Sequence, residues 1–173
     1  MTGTISAWIG LGSNLEDPRA QVRAAVTALR ATDGLQVEAV SSLYASPPMG
    51  PQDQPDFINA VMRVTTVLEA EALLDVLLAR EQAQARRRGR RWGPRTLDLD
   101  LLLFGEAVIR TPRLQVPHPG IHERAFVLYP LAELAPGLHV PGFGALQDLL
   151  SACPAGSLQR IRTDGTTVAV ADG

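Results

Sequence analysis

The sequence predicts an α+β domain in which an antiparallel sheet carries its helices on one face. Two observations lead there. Stretches of apolar–polar alternation and stretches of helical period follow one another in the order β-α-β-β-α-β. The remaining third of the chain offers only short elements. The 173 residues, 46% apolar and 20% charged, suit one domain over 1–173, with a core at roughly 4–150 and a C-terminal extension at 151–173.

Each element has its own signal. Ile5, Ala7, Ile9 and Leu11 alternate with Ser6, Trp8 and Gly10, which predicts a half-buried strand ending at the turn Gly12-Ser13-Asn14. Asp17 and Pro18 supply an N-cap and a first helical residue. Val22, Ala25, Val26 and Leu29 then recur at helical spacing to about Arg30. Leu35 to Tyr44 is β-rich and predicts a second strand. Pro47, Pro48, Pro51 and Pro55 surround Gly50, so that stretch is a stiff loop. Phe57 to Val67 predicts a third strand, and Glu69 to about Ala85 a helix with Leu73, Leu74, Leu77 and Leu78 on one side. Residues 86–95 contain two glycines and a proline without periodicity, which predicts an exposed loop. Leu97 to Phe104 is the fourth strand, turned by Gly105-Glu106 before Val108 and Ile109.

That order is the split βαβ, or ferredoxin-like, arrangement, with both helices on one face of the sheet. The rest of the chain predicts a Pro-bounded loop at 112–119, short helices around Tyr129 to Leu134 and Leu146 to Leu150, and weak strands near 158–162 and 166–170.

Composition narrows the function. The single cysteine, Cys153, excludes an intrachain disulfide and a cysteine-rich zinc site, which suits a reducing compartment. No apolar stretch is long enough to cross a bilayer, and Met1 to Asn14 carries no basic leader. A cytoplasmic protein without a membrane partner is expected. All 16 basic residues are arginine, so no P-loop lysine exists and phosphates must be held by guanidinium groups and backbone amides. Residues 80–95 carry seven arginines against Glu81 alone, a net +6, while the remainder carries −8. A compact positive segment on an acidic chain points to a local anionic ligand more than to a long nucleic acid. The alternative class, a small RNA-binding module, has against it an aromatic content of 5% and no RRM aromatic signature.

The sharpest constellation is Leu97-Asp98-Leu99-Asp100-Leu101. On a strand, Asp98 and Asp100 share one face, about 6.6–6.8 Å apart along the chain, while the leucines face the core. Two carboxylates in that register repel unless a cation lies between them, and an oxygen-only pair suits Mg²⁺ completed by water and phosphate oxygens. A bare D-x-D is equally a solvated strand face. The loop delivering it, however, brings Arg86, Arg88, Arg91 and Arg95, and Glu81 ends the preceding helix. Arginines and carboxylates converging on one place are what a polyphosphate needs. Another Mg²⁺-dependent nucleotidyl or phosphoryl transferase fits the same residues. His118, rigid between Pro117 and Pro119, could donate to a phosphate, with Arg113 and Arg124 bracketing it. Judged singly, Phe57 and Phe126 are core aromatics. Asn59 shares the strand face of Phe57, where its amide could read a heterocycle edge.

These residues also carry a resemblance. The run Arg91-Trp92-Gly93-Pro94-Arg95-Thr96-Leu97-Asp98-Leu99-Asp100, with Gly12-Ser13-Asn14-Leu15, Ser46-Pro47-Pro48-Met49-Gly50-Pro51-Gln52-Asp53-Gln54-Pro55-Asp56-Phe57-Ile58-Asn59, Val116-Pro117-His118-Pro119 and Glu123-Arg124-Ala125-Phe126, resembles the 6-hydroxymethyl-7,8-dihydropterin pyrophosphokinases of folate biosynthesis. The match runs in order through residues 4–150.

The resemblance implies transfer of pyrophosphate from ATP to the pterin hydroxymethyl oxygen, with release of AMP. It implies two Mg²⁺ ions on Asp98 and Asp100, and a catalytic set of Arg86, Arg95, Asp98 and Asp100. ATP contacts would come from Glu81, Arg86, Arg88, Trp92, Arg95, Leu101, Arg113, His118 and Arg124. Pterin contacts would come from Ser46, Pro47, Met49, Phe57, Asn59 and Phe126, the two phenylalanines sandwiching the ring. The partners expected are these two small molecules, with no nucleic acid, and the chain is expected to act as a monomer. Some details depart from relatives. Against some relatives only, the segment between Glu81 and Trp92 is one residue shorter, Phe57 stands for a tyrosine, Leu78 for a glutamine and Gln115 for a threonine.

Overall fold

The computed structural model describes residues 3–14, 17–46, 56–87 and 97–172, with the side chains of 86 and 87 excepted. Strands are β1 (Ile5–Ser13), β2 (Leu35–Val40), β3 (Leu43–Ser46), β4 (Phe57–Thr66), β5 (Asp98–Phe104), β6 (Ile109–Arg110), β7 (Gln115–Val116), β8 (His139–Val140), β9 (Gly144–Ala145), β10 (Gln159–Ile161) and β11 (Thr167–Ala169). Helices are α1 (Pro18–Arg30), α2 (Ala70–Arg87), α3 (Ala125–Leu134) and α4 (Leu146–Ser151). Among the described residues, one seven-stranded sheet runs in the order β11-β10-β3-β4-β1-β5, with β2 also paired to β4, and every pairing in it is antiparallel.

The chain order dictates two apolar layers. On one face Ala7, Ile9 and Leu11 of β1 pack with Val22, Ala25 and Leu29 of α1 and Leu73 and Leu77 of α2. On the other, Trp8, Tyr44, Val61 and Leu102 pack with Val127, Leu128 and Leu131 of α3. Each leucine so buried contributes about 1.5–3 kcal/mol. The expected half-buried β1 is therefore corrected: Ala7 to Ser13 are all buried, and Trp8 is 6% exposed, because α3 covers the face that alternation had assigned to solvent. Helices thus lie on both faces, with α1 and α2 on one and α3 on the other.

The second predicted strand is interrupted. At Ser41 the hydroxyl accepts from the Val61 amide at 2.9 Å and the Ser41 amide donates to the Val61 carbonyl at 2.8 Å. Ser42 turns its amide to Glu133 of α3 instead (2.9 Å), which separates β2 from β3. α2 extends to Arg87, so Arg86 is helical in backbone where a loop was expected. α3 begins at Ala125, four residues earlier than expected. Pro130 inside it lacks the N–H that would bond the Phe126 carbonyl, and that proline masks the helical period. β10 pairs with β3, so the C-terminal strands extend the main sheet. Among the described residues no helix is long and apolar enough to cross a membrane.

Candidate active site

The strand register builds the site. Gly12 of β1 lies opposite Asn59 of β4 on one side and Asp98 of β5 on the other. One step along, Gly10 lies opposite Asp100. Residues directly opposite share a face, so Asn59, Asp98 and Asp100 all project on the α3 side, with two glycines between them. Asn59 is buried, Asp100 half-buried and Asp98 exposed. Period two adds Phe57, half-buried, to the face of Asn59. Ser46, the last residue of β3, is opposite Phe57.

Two tethers hold this edge. The Glu81 carboxylate of α2 accepts from the Leu99 amide at 2.7 Å, tying the helix to the strand that carries both acids. Further along α2, the buried Gln84 amide donates to the carbonyl and side-chain oxygen of Gln21 on α1, at 3.2 and 2.9 Å.

Arg124, immediately before α3, reaches across to β5. Its guanidinium is 3.8 Å from Asp100 and 5.8 Å from the centre of the Phe126 ring. Its side chain lies over Gly120, where a Cβ would meet Nε at 3.0 Å. His118 is fixed by its backbone amide, which donates to Leu102 at 3.0 Å, and by Nδ1, which accepts from the Gly120 amide at 3.0 Å. That bond leaves the ring proton on Nε2. Burial holds the imidazole below its ordinary value, with Asp100 opposing and Arg124 adding to the shift. His118 is therefore a neutral donor near neutral pH.

A cleft of about 290 Å³ runs from this point towards α2. Leu74, Leu101 and Leu114 form an apolar part, and Asp100, Arg113 and His118 a polar one. A flat heterocycle with an anionic tail has that division of surface. Arg113 is exposed and paired with Glu71 and Asp75 of α2, which raise its already high pKa. A wider groove of about 840 Å³ lies between α1 and β10, lined by Val26, Arg30, Leu43 and Ile161. It holds neither the acid pair nor the aromatics.

Of the residues singled out by sequence, the structure brings together Asp98, Asp100, Leu101, Arg113, His118 and Arg124 around β5, and Ser46, Phe57 and Asn59 around β4, with Phe126 in the first turn of α3. Pro47, Met49, Arg88, Trp92 and Arg95 lie outside the described residues, as does the side chain of Arg86. Sequence reasoning missed Leu74 and Leu114 as cleft walls and Glu133 as a partner of Ser42. The signal for the leucines was only helical or loop apolarity, shared with any core residue.

Two carboxylates facing one way beside a neutral imidazole and a guanidinium, next to a cleft with apolar and polar parts, define an enzyme that handles a phosphorylated nucleotide. Residues 8–136 match the family model for 7,8-dihydro-6-hydroxymethylpterin-pyrophosphokinase, and the chain belongs to that family. It is 51% identical over 154 residues to the 2-amino-4-hydroxy-6-hydroxymethyldihydropteridine pyrophosphokinase of Pseudomonas aeruginosa, covering 89% of this chain and 95% of that one. With the enzyme of the same name from Haemophilus influenzae it shares 46% over 146 residues, covering 84% and 91%. Its fold matches the crystal structure of Plasmodium falciparum HPPK-DHPS with pteroate at a TM-score of 0.65 and 13% identity, covering 86% of this chain and 42% of that one. The chain thus spans about two fifths of that longer protein.

Proposed function

We propose that this protein transfers pyrophosphate from ATP to 6-hydroxymethyl-7,8-dihydropterin, releasing AMP, within folate biosynthesis. The observation that supports the reading is the row Asn59, Gly12, Asp98 across three strands, which sets a buried amide and an exposed carboxylate on one face. In the reaction the hydroxymethyl oxygen gives up its proton to solvent and bonds to the β-phosphorus, while the bond from that phosphorus to the oxygen that leaves with AMP breaks.

The residue roles proposed are those that the family resemblance implies. Phe57, Asn59 and Phe126, with Ser46 and the segment bearing Pro47 and Met49, hold the pterin. Leu101 lines the nucleotide cleft; Arg113, His118 and Arg124 bind its phosphates, with Glu81 holding β5 beside them. Arg86, Arg88, Trp92 and Arg95 close over ATP, and Arg86 and Arg95 stabilise charge as it develops. Excluding water there protects the donor from hydrolysis.

Asp98 and Asp100 fit Mg²⁺ by donor chemistry: both are carboxylates on one face, and two such ligands plus water and phosphate oxygens complete its coordination. Two bound Mg²⁺ ions would neutralise triphosphate oxygens. The core is ferredoxin-like with C-terminal additions, and we take the enzyme to be a cytoplasmic monomer.

The test is purified protein with Mg²⁺, ATP and the hydroxymethyl dihydropterin, with adenine products separated. AMP in step with pterin pyrophosphate supports the reading. ADP would mean ordinary kinase chemistry, and salt-sensitive RNA binding without turnover would mean a binding module.

A further inference from the structure

Glu133 lies in the last turns of α3, far along the helix from Phe126, and nothing in the proposed chemistry uses it. Its exposed carboxylate nonetheless accepts three hydrogen bonds. One oxygen accepts from the Ser42 amide at 2.9 Å and the Ser42 hydroxyl at 3.1 Å, and the other accepts from the Tyr44 hydroxyl at 2.6 Å. Hydrogen bonds to an ionised acceptor are stronger than neutral ones. The first pair exists only because the sheet edge breaks at Ser41-Ser42, which frees a backbone amide between β2 and β3.

What this clamp holds is specific. Tyr44 is the register partner of Asn59, and Ser46, two residues on and on the same face, is the partner of Phe57. Residues directly opposite have Cβ atoms about 4.5–5.5 Å apart. Along the helix, Phe126 precedes Glu133 by seven residues, two turns or about 10.5 Å, so the two share a helix face. Glu133 thus joins the helix that carries one aromatic to the strand that backs the other aromatic and the amide. Arg160, opposite Tyr44 on β10, adds positive charge beside the phenol.

We infer that Glu133 is a positioning residue for the pterin side of the site, setting the distance of Phe126 from Phe57 and Asn59 through Ser42 and Tyr44. This rests on the pterin reading of those three residues.

The experiment measures binding of 6-hydroxymethylpterin and of ATP to full-length protein. Glu133→Ala should weaken pterin binding about tenfold, since sub-ångström looseness in a supporting shell is costly, and leave ATP affinity within about twofold. Glu133→Gln, which keeps an accepting oxygen and the side-chain volume, should restore most of the loss. Leu131→Ala, a cavity in the same helix, should lower the melting temperature at least as far while keeping pterin affinity. Wild-type pterin affinity in Glu133→Ala, or equal losses in Leu131→Ala, would overturn the inference. Phe126→Ala separates the two layers of argument. If it binds pterin like wild type, the site reading fails and this inference with it. If it loses pterin while Glu133→Ala does not, only the positioning role fails.

Discussion

Gly12 and Asn59 face each other across β1 and β4 so closely that a Cβ on residue 12 would sit 2.7 Å from the Asn59 side-chain oxygen. No real Cβ tolerates that approach, and Asn59 is buried, so its amide would have to turn. Gly12→Ala should therefore destabilise the protein by about 1–3 kcal/mol, as overpacking does. It should also weaken pterin binding more than ATP binding, which paired calorimetric titrations would show.

Asp98 is exposed at the end of β5, and its side chain adds little to either apolar cluster. Asp98→Asn should lower turnover on the order of a hundredfold or more while leaving the unfolding midpoint nearly unchanged. Unaltered turnover with the same Mg²⁺ dependence would remove Asp98 from the metal site.

Glu81 answers to a different mechanism, because its carboxylate holds a strand amide. Glu81→Ala leaves the Leu99 N–H without its acceptor, a loss of about 1–3 kcal/mol. The effect should appear as faster amide exchange in β5 and as reduced turnover at saturating substrate. A variant with normal exchange in β5 would show the tether to be dispensable.

Tyr44 gives the pH dependence. Its phenol is pushed above the ordinary value first by burial, then by its hydrogen bond to Glu133 and that group's charge, against a smaller opposing effect of Arg160. A folded value above the unfolded one means the stabilisation is complete below about pH 10 and is lost as pH rises towards the folded value. Because the chain has no lysine, few other groups titrate there. Denaturant midpoints of the wild type should fall above about pH 10, and Tyr44→Phe should flatten that fall.

Much of this was legible in the sequence where a local rule governs. The D-x-D alternation placed Asp98 and Asp100 on one face, and period two put Phe57 with Asn59, because strand geometry is set within two residues. Helix limits were legible where caps are local, as at Asp17, whose side chain accepts from the Ala20 amide at 3.4 Å. What alternation could not show was the burial of Trp8 and the break at Ser41-Ser42. Both depend on α3, more than eighty residues away and disguised by Pro130. Glu133 was invisible for the same reason, since its partners are assembled only when that helix crosses the sheet.

A last consequence concerns the two glycines of β1. The strand between Asn59 and the two acids of β5 offers no side chain of its own at 10 or 12. The gap from Asn59 to Asp98 is then a fixed gauge of two interstrand spacings, ~9.4–9.8 Å. Under the proposed assignment, an inhibitor that tethers a pterin mimic to a polyphosphate mimic should be cut to that backbone ruler.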